Sequence, residues 1–268
     1  MHQGWPKFVA HLWMKTADEG LVAAAWAPCR VETRLRDVPV TVEVHTEYPF
    51  RDVIRLTVTP GRSVRFPLML RVPAWAEGAT LRVGSSGEER VTPGTLHRLE
   101  REWTGPTGLA LRVPMRAAVS ARYNDAVAVE RGPLVYALRI GEEWTRVNAD
   151  KPHRELPHGD FEVRPATPWN YGLVLDERRP EEGLRFEERP IGDRAFSPEG
   201  AGVVATARGR RLPNWKIVNG WAGEIAPADQ AWADPARPVS DQPVEPIALI
   251  PYGCTNIRIT EFPKLRDG

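Results

Sequence analysis

Alternation of hydrophobic and polar residues with a period of two dominates the chain from Leu21 onward. Six segments carry this strand character: 38–44, 53–58, 63–73, 80–84, 95–100 and 109–115. Side chains of a strand point alternately to its two faces, and here Gly and Pro separate the segments, so the pattern predicts an antiparallel β-sandwich. No long helical pattern interrupts the segments, which argues against a parallel α/β sheet.

A second β-rich block begins near Ser120. Its strand candidates are 126–130, 132–140, 203–218 and 246–263. Three polar or charged stretches are interpreted as long exposed loops: 141–165, 174–200 and 221–245. The stretch 174–200 has room for one edge strand. We therefore predict a mainly β chain with two antiparallel, jelly-roll-like sandwich domains, a middle domain over 19–118 and a C-terminal domain over 119–268.

The first 18 residues follow a different period. Apolar residues with the spacing of one helical face are Trp5, Phe8, Val9, Leu12 and Trp13. Pro6 suits the first turn of a helix, and Gly20 is a reasonable stop signal. The pattern predicts a helix of about three turns, which is too short to be stable alone in water. We therefore expect its apolar face to need a large apolar partner.

Composition narrows the classes of partner. The 268 residues are 42% hydrophobic and 26% charged, and the formal net charge is +1, so neither nucleic acid nor an anionic membrane surface is expected to bind electrostatically. No apolar run approaches the roughly 18 residues of a transmembrane helix. The first residues also lack the basic-then-apolar order of a signal peptide.

Residues with reactive side chains form no recognisable catalytic motif. We expect Cys29 and Cys254 to be core or semi-buried thiols, and a disulfide between them stays open. The six histidines have no repeated ligand spacing. Candidate carboxylates for glycoside hydrolysis, such as Glu130 or the pair Glu142 and Glu143, have no neighbours that mark them as an acid and a base. Individual residues therefore identify no active site.

Tryptophan is frequent, with ten residues in the chain. Four of them stand in Pro- or Gly-flanked stretches and are candidates for stacking against sugar rings: Trp75, Trp103, Trp169 and Trp215. The competing interpretation is that each fills a sandwich core or a turn, and it is the one we expect for most of them.

Several of these stretches, taken together, resemble a known family. The blocks are FPLMLRVPAWAEGATLRV, VAVERGPLVYALR, TPWNYGLVLD, LPNWKIVNGWAGEIAP and IALIPYGCTNIRITEFP. In this order they resemble the C-terminal half of glycoside hydrolase family 127 (GH127), the β-L-arabinofuranosidase type. The resemblance implies a catalytic (α/α)6 barrel followed by two β-sandwich domains. It also implies catalysis by a cysteine nucleophile in a zinc site, with a glutamate as acid/base.

The resemblance places the chemistry outside this chain. In similar members a vicinal cysteine pair stands just before a segment like HQGWPKF, which is residues 2–8 here. The nucleophile, the zinc ligands and the acid/base glutamate would then lie upstream, and neither Cys29 nor Cys254 matches them. We therefore expect no catalytic residue and no metal ligand in the chain, with zinc in the catalytic domain. The helix over 1–18 would be the last barrel helix, with His2, Gln3 and Trp5 at the pocket rim.

Three functions compete. The first is the accessory, non-catalytic portion of a GH127-like enzyme, which braces the barrel in cis and has no glycosidase activity alone. The second is a stand-alone β-sandwich module that binds a glycan through exposed aromatic side chains. The third is an assembly role, in which the chain complements a separately encoded barrel in trans.

Overall fold

A computed structural model of the chain describes residues 4–225 and 240–265. The chain divides into two compact units, Met1–Met115 and Arg116–Gly268. Strands account for most of the regular structure in both units, which confirms the predicted mainly β fold. None of the helices in the described ranges is long and apolar enough to cross a membrane.

The first unit begins with a short helix, α1 (Gly4–Ala10), and continues as strands. The strands are β1 (Trp13–Lys15), β2 (Leu21–Ala23), β3 (Cys29–Leu35), β4 (Val38–Thr46), β5 (Val53–Pro60), β6 (Val64–Arg71), β7 (Thr80–Val83), β8 (Glu89–Arg90), β9 (Leu96–Trp103) and β10 (Thr107–Arg112). They form a four-stranded sheet in the order β1-β2-β6-β9 and a six-stranded sheet in the order β3-β4-β5-β10-β7-β8. Among these described strands, all pairings are antiparallel except that of β2 with β6.

The buried faces of the two sheets form one hydrophobic core. The alternation that predicted β4 places Val38, Val40, Val42 and Val44 inside, each no more than 3% exposed. On β9, the edge strand of the other sheet, Trp103 is fully buried and donates its Nε1 hydrogen to Phe66 O at 3.1 Å. This bond satisfies the only polar group of the indole, so no hydrogen-bond donor of the buried ring is left unpaired.

The N-terminal helix is shorter than the predicted one. It ends at Ala10, and Trp13 lies in β1, opposite Ala23 of β2. Leu12 is only 4% exposed, and Trp13 packs edge-to-face on Trp26 with ring centroids 6.4 Å apart. Packing on the sandwich and pairing with β2 therefore outweigh the helical spacing, because they bury Leu12 and partly bury Trp13.

The second unit contains one large sheet and two separate hairpins. Its elements are β11 (Ala117–Ala121), β12 (Val127–Arg131), β13 (Leu134–Leu138), β14 (Glu142–Val147), β15 (Asp160–Pro165), β16 (Tyr171–Val174), α2 (Pro180–Gly183), β17 (Arg185–Glu188), β18 (Val203–Arg211), β19 (Ile217–Val218), β20 (Trp221–Ala222), β21 (Val244–Pro251) and β22 (Lys264–Leu265). The large sheet has the order β11-β12-β13-β21-β18-β16-β22, and β17 also pairs with β18. Among the strands that the structure describes in this unit, only β16 and β22 pair in parallel.

The loop prediction for 141–165 is wrong. This stretch contains the antiparallel hairpin of β14 and β15, with Glu142 opposite Pro165 and Val147 opposite Asp160. Neither strand contains a buried residue, so no alternating pattern marks them. The predicted loop 174–200 contains α2 and β17, and most of the loop predicted at 221–245 lies outside the described residues.

Candidate functional site

The residues predicted at a pocket rim stand at the N-terminus. His2 and Gln3 lie outside the described residues, and their placement at a rim stays a prediction. Trp5 is 71% exposed on α1 and contacts Phe8 edge-to-face at 6.2 Å. Together with Val9, which is 61% exposed, these two residues make up what we call the N-terminal apolar face.

Both cysteines are free thiols in environments that favour protonation. Partial burial raises the pKa of Cys29. Burial raises the pKa of Cys254 to about 11, and its Sγ donates to Ala195 O at 3.4 Å. A nucleophilic cysteine needs the thiolate, so these surroundings are those of structural thiols.

Metal-ligating side chains are dispersed. Within 4–225 and 240–265, no three His, Cys, Asp or Glu side chains come close enough together to hold a metal ion. A zinc site needs three or four such ligands around one point. The described residues therefore do not fit the zinc site that the family resemblance implies.

The candidate carboxylates bind other parts of the protein. Glu130 accepts hydrogen bonds from Ser120 Oγ at 2.5 Å and from Arg122 Nη2 at 2.9 Å. Glu142 accepts from the backbone N and the side-chain Nδ2 of Asn256, at 3.0 and 2.9 Å. Partial burial acts to raise the pKa of Glu142, but the hydrogen bonds from Asn256 outweigh it and hold the pKa below its usual range. A carboxylate held ionised in this way is a structural acceptor and a poor general acid.

The four candidate tryptophans divide into two groups. Trp103 lies in the core of the first unit, and Trp75 packs partly buried against the same core, as the competing interpretation expects. Trp169 and Trp215, in contrast, lie together in the second unit, with ring centroids 5.0 Å apart and planes at 64°. Both are half-buried, so part of each indole remains accessible.

Strand pairing brings these two indoles together. Trp169 lies just before β16 and Trp215 just after β18, and Tyr171 of β16 is paired with Arg211 of β18. Around them is an open groove of about 420 Å³, which we call the aromatic groove. Besides the two tryptophans, its lining includes Asn170, Arg211, Lys216 and Ile217.

Asn170 holds the two sides of the groove together. It is 8% exposed, and its Nδ2 donates to Leu212 O at 2.7 Å and to Trp215 O at 3.0 Å. Its backbone O accepts from Leu212 N at 2.7 Å. One buried amide thus ties the segment that carries Trp169 to the segment that carries Trp215, which limits the movement of either indole.

The hairpin of β19 and β20 supports Trp215 from the other side. Trp215 Nε1 donates to Gly223 O at 2.7 Å, and Gly223 N donates to Lys216 O at 2.9 Å. The hairpin turns at Asn219 and Gly220, both with positive φ, as in a type I′ turn. Gly223 admits no side chain at this point, because a Cβ would stand 2.7 Å from Lys216 O.

Positive charge lines the groove. Arg211 and Lys216 are both exposed, and within the described ranges neither forms an ion pair. The Arg211 Nε makes only a long contact, 3.5 Å, with Asn170 Oδ1. Among the residues that the structure describes, no Asp or Glu lines the groove, so none of them neutralises the two charges there. Sequence inspection picked out both tryptophans, but strand pairing alone reveals that they share a groove with these cations.

One family model matches part of the chain. Residues 20–115 match the model described as the GH127 middle domain of beta-L-arabinofuranosidases. The match covers most of the first unit, from just before β2 to the end of the unit. No curated protein sequence matches the chain.

Solved structures share the fold along nearly the whole chain. A GH127 beta-L-arabinofuranosidase from Geobacillus stearothermophilus T6 matches with a TM-score of 0.60 and 20% identity, covering 96% of this chain and 35% of its own. A glycoside hydrolase matches with a TM-score of 0.58 and 19% identity over 94% of this chain and 37% of its own. A GH127 beta-arabinofuranosidase matches with a TM-score of 0.57 and 17% identity, covering 93% of this chain and 35% of its own.

The chain thus spans little more than a third of the length of these structures. At identities of 20% or less, this likeness shows a shared fold. Together with the family model, it confirms the resemblance to GH127 that the sequence blocks indicated.

Proposed function

We propose that the chain is the accessory, non-catalytic portion of a GH127-like glycoside hydrolase, and that it braces a helical catalytic barrel in cis or in trans. The observation that carries this proposal is α1, a helix with no buried residue and with Trp5, Phe8 and Val9 exposed to 71%, 42% and 61%. A seven-residue helix of this kind is not stable in water by itself.

The exposed apolar area of α1 sets how much free energy a partner gains by covering it. Fully burying one large apolar side chain contributes roughly 1.5–3 kcal/mol, and about half of that remains available for each residue of the N-terminal apolar face. A partner that covered all three would gain roughly 2–5 kcal/mol. A helical barrel has apolar grooves between its helices that suit one further helix.

The anchoring of α1 to the first unit supports a bracing role. Leu12 is buried, and Ala24 N donates to Leu12 O at 2.9 Å directly after the helix. A partner docked on α1 is therefore held close to the first sandwich. The match of residues 20–115 to a GH127 middle domain also supports this function, because the relatives with this fold carry it within a longer chain.

Co-expression tests the bracing role. The full chain is produced with a tagged (α/α)6 barrel from a GH127 enzyme, and co-purification and hydrolysis of an aryl arabinofuranoside are measured. We expect the chain to bind the barrel, and the double variant Trp5→Ala/Phe8→Ala to lose most of this binding. Trp144→Ala, which removes a 51% exposed tryptophan on β14, is the matched control and should bind as the unchanged chain does. Equal binding by both variants would contradict the proposal.

Activity of the chain alone is a second test. Incubated with zinc and an aryl arabinofuranoside, the purified chain should show no turnover above the buffer rate. Turnover that thiol alkylation abolishes would mean that Cys29 or Cys254 is catalytic, and it would overturn the non-catalytic assignment.

A stand-alone glycan-binding module is the alternative function. The aromatic groove favours it, whereas the N-terminal apolar face does not, because a free module has no use for an exposed apolar helix. Binding of a glycan by the chain alone and failure to bind any barrel would together support the module.

A further inference from the structure

We propose that the aromatic groove of the second unit is a binding subsite for acidic oligosaccharides, that is, glycan chains with uronate residues. This inference does not rest on the bracing role, because the groove is built wholly from residues of the second unit. Its volume of about 420 Å³ lies in the usual range for small-ligand sites. The groove is open to solvent, so a chain-like ligand is able to continue beyond it.

The two indoles provide the surface for a sugar ring. One face of a pyranose or furanose ring presents C–H groups, which are apolar and pack well on an aromatic plane. Because the planes of Trp169 and Trp215 meet at 64°, they form a corner, so that one indole can take the ring face and the other its edge. A single exposed indole offers no such corner.

The corner is held in place before any ligand binds. The indole of Trp215 is fixed by its hydrogen bond to Gly223 O, and Asn170 fixes the backbone of the same residue. A site that is already ordered loses little conformational entropy on binding, so more of the contact energy appears as affinity.

The charge of the groove selects an acidic ligand. Arg211 and Lys216 line it, none of the described lining residues is an Asp or Glu, and neither cation has an ion-pair partner in the described part of the chain. The planar guanidinium of Arg211 matches the two oxygens of a carboxylate, whereas a neutral sugar leaves both charges unpaired. A uronate ring stacked on an indole brings its carboxylate to the rim where these cations lie.

Binding by the full chain tests this proposal. Calorimetry with trigalacturonate should give a dissociation constant in the micromolar range that weakens about tenfold between 50 and 500 mM NaCl. A neutral arabinotriose should bind at least tenfold more weakly. Equal affinity for the two trisaccharides, or no binding of either, would overturn the proposal. This test involves no barrel, so its failure is distinct from failure of the bracing role.

Variants separate the two parts of the site. Trp169→Ala should weaken trigalacturonate at least tenfold, and Arg211→Ala/Lys216→Ala should do the same while removing most of the salt dependence. The controls are Trp144→Ala and Arg185→Ala, an exposed tryptophan and an exposed arginine outside the groove, which should leave affinity unchanged. Circular dichroism and thermal unfolding confirm that each variant is folded. Loss of affinity in the controls, or none in the groove variants, would contradict the assignment.

Discussion

Asn170→Asp tests how the aromatic groove is held together, because it replaces the side-chain NH2 group by an oxygen of similar size. The side chain of Asn170 is 8% exposed, and its Nδ2 donates to the carbonyls of Leu212 and Trp215. Aspartate has no hydrogen to donate, so both bonds are replaced by contacts between a carboxylate and carbonyl oxygens.

The magnitude follows from these two bonds. Each contributes about 1 kcal/mol net, and leaving nearly buried acceptors without a donor costs roughly a further 1–3 kcal/mol. The Arg211 Nε, 3.5 Å from Asn170 Oδ1, offsets part of the repulsion on the other side of the carboxylate. We therefore expect a loss of about 3 kcal/mol in the free energy of unfolding of the second unit. For a unit of this size, that lowers the melting temperature by about 6–12 °C.

The assay is thermal and urea unfolding followed by tryptophan fluorescence and circular dichroism. Asn219→Asp makes the same atomic change in the exposed turn between β19 and β20, where Asp-Gly is as suitable as Asn-Gly. It should stay within about 0.5 kcal/mol of the unchanged protein. Equal stability of Asn170→Asp and Asn219→Asp would refute the role given to the buried amide.

Three further predictions concern the rest of the chain. Trp103→Ala should destabilise the first unit by about 3–5 kcal/mol in urea unfolding, because the indole is fully buried; a loss below about 1 kcal/mol would contradict this. Gly20→Ala should lower the melting temperature of the first unit, because its Cβ would stand 2.4 Å from Pro67 O, whereas Gly4→Ala, with open space around it, should not. The raised pKa of Cys254, about 11 against 9.0 when unfolded, stabilises the folded chain below pH 9, and this contribution is lost as pH rises from 9 to 11. Cys254→Ala should therefore lose less free energy of unfolding between pH 9 and pH 11, measured by urea unfolding at each pH. The same pH dependence in Cys254→Ala and in the unchanged chain would contradict the raised pKa of Cys254.

Alternation of apolar residues was sufficient to predict six of the ten strands that the structure describes in the first unit: β4, β5, β6, β7, β9 and β10. In β4 and β5 one face is buried and the other is exposed, so the sequence carries the period of two directly. The same reasoning missed the hairpin of β14 and β15, because both of its faces are exposed and no period is imposed on it.

The candidate site was only partly predictable. Trp169 and Trp215 stood out in the sequence, since each lies in a short Pro-containing stretch. Their pairing with each other and with Arg211 depends on the register of β16 and β18, which side-chain patterns do not specify across so long a separation. Asn170 and Gly223, which hold the corner, carried no signal of their role.

The sequence by itself determined that this chain is mainly β, that its N-terminal residues form an apolar helix, and that it resembles GH127. These properties follow from local periodicity and from short blocks of residues, and both can be recognised from residues that lie close together along the chain. Tertiary structure alone decided where α1 ends, since packing of Leu12 and Trp13 on the sandwich outweighs their helical spacing. It alone also brought two distant tryptophans and two cations to one groove, because the pairing of β16 with β18 makes them neighbours.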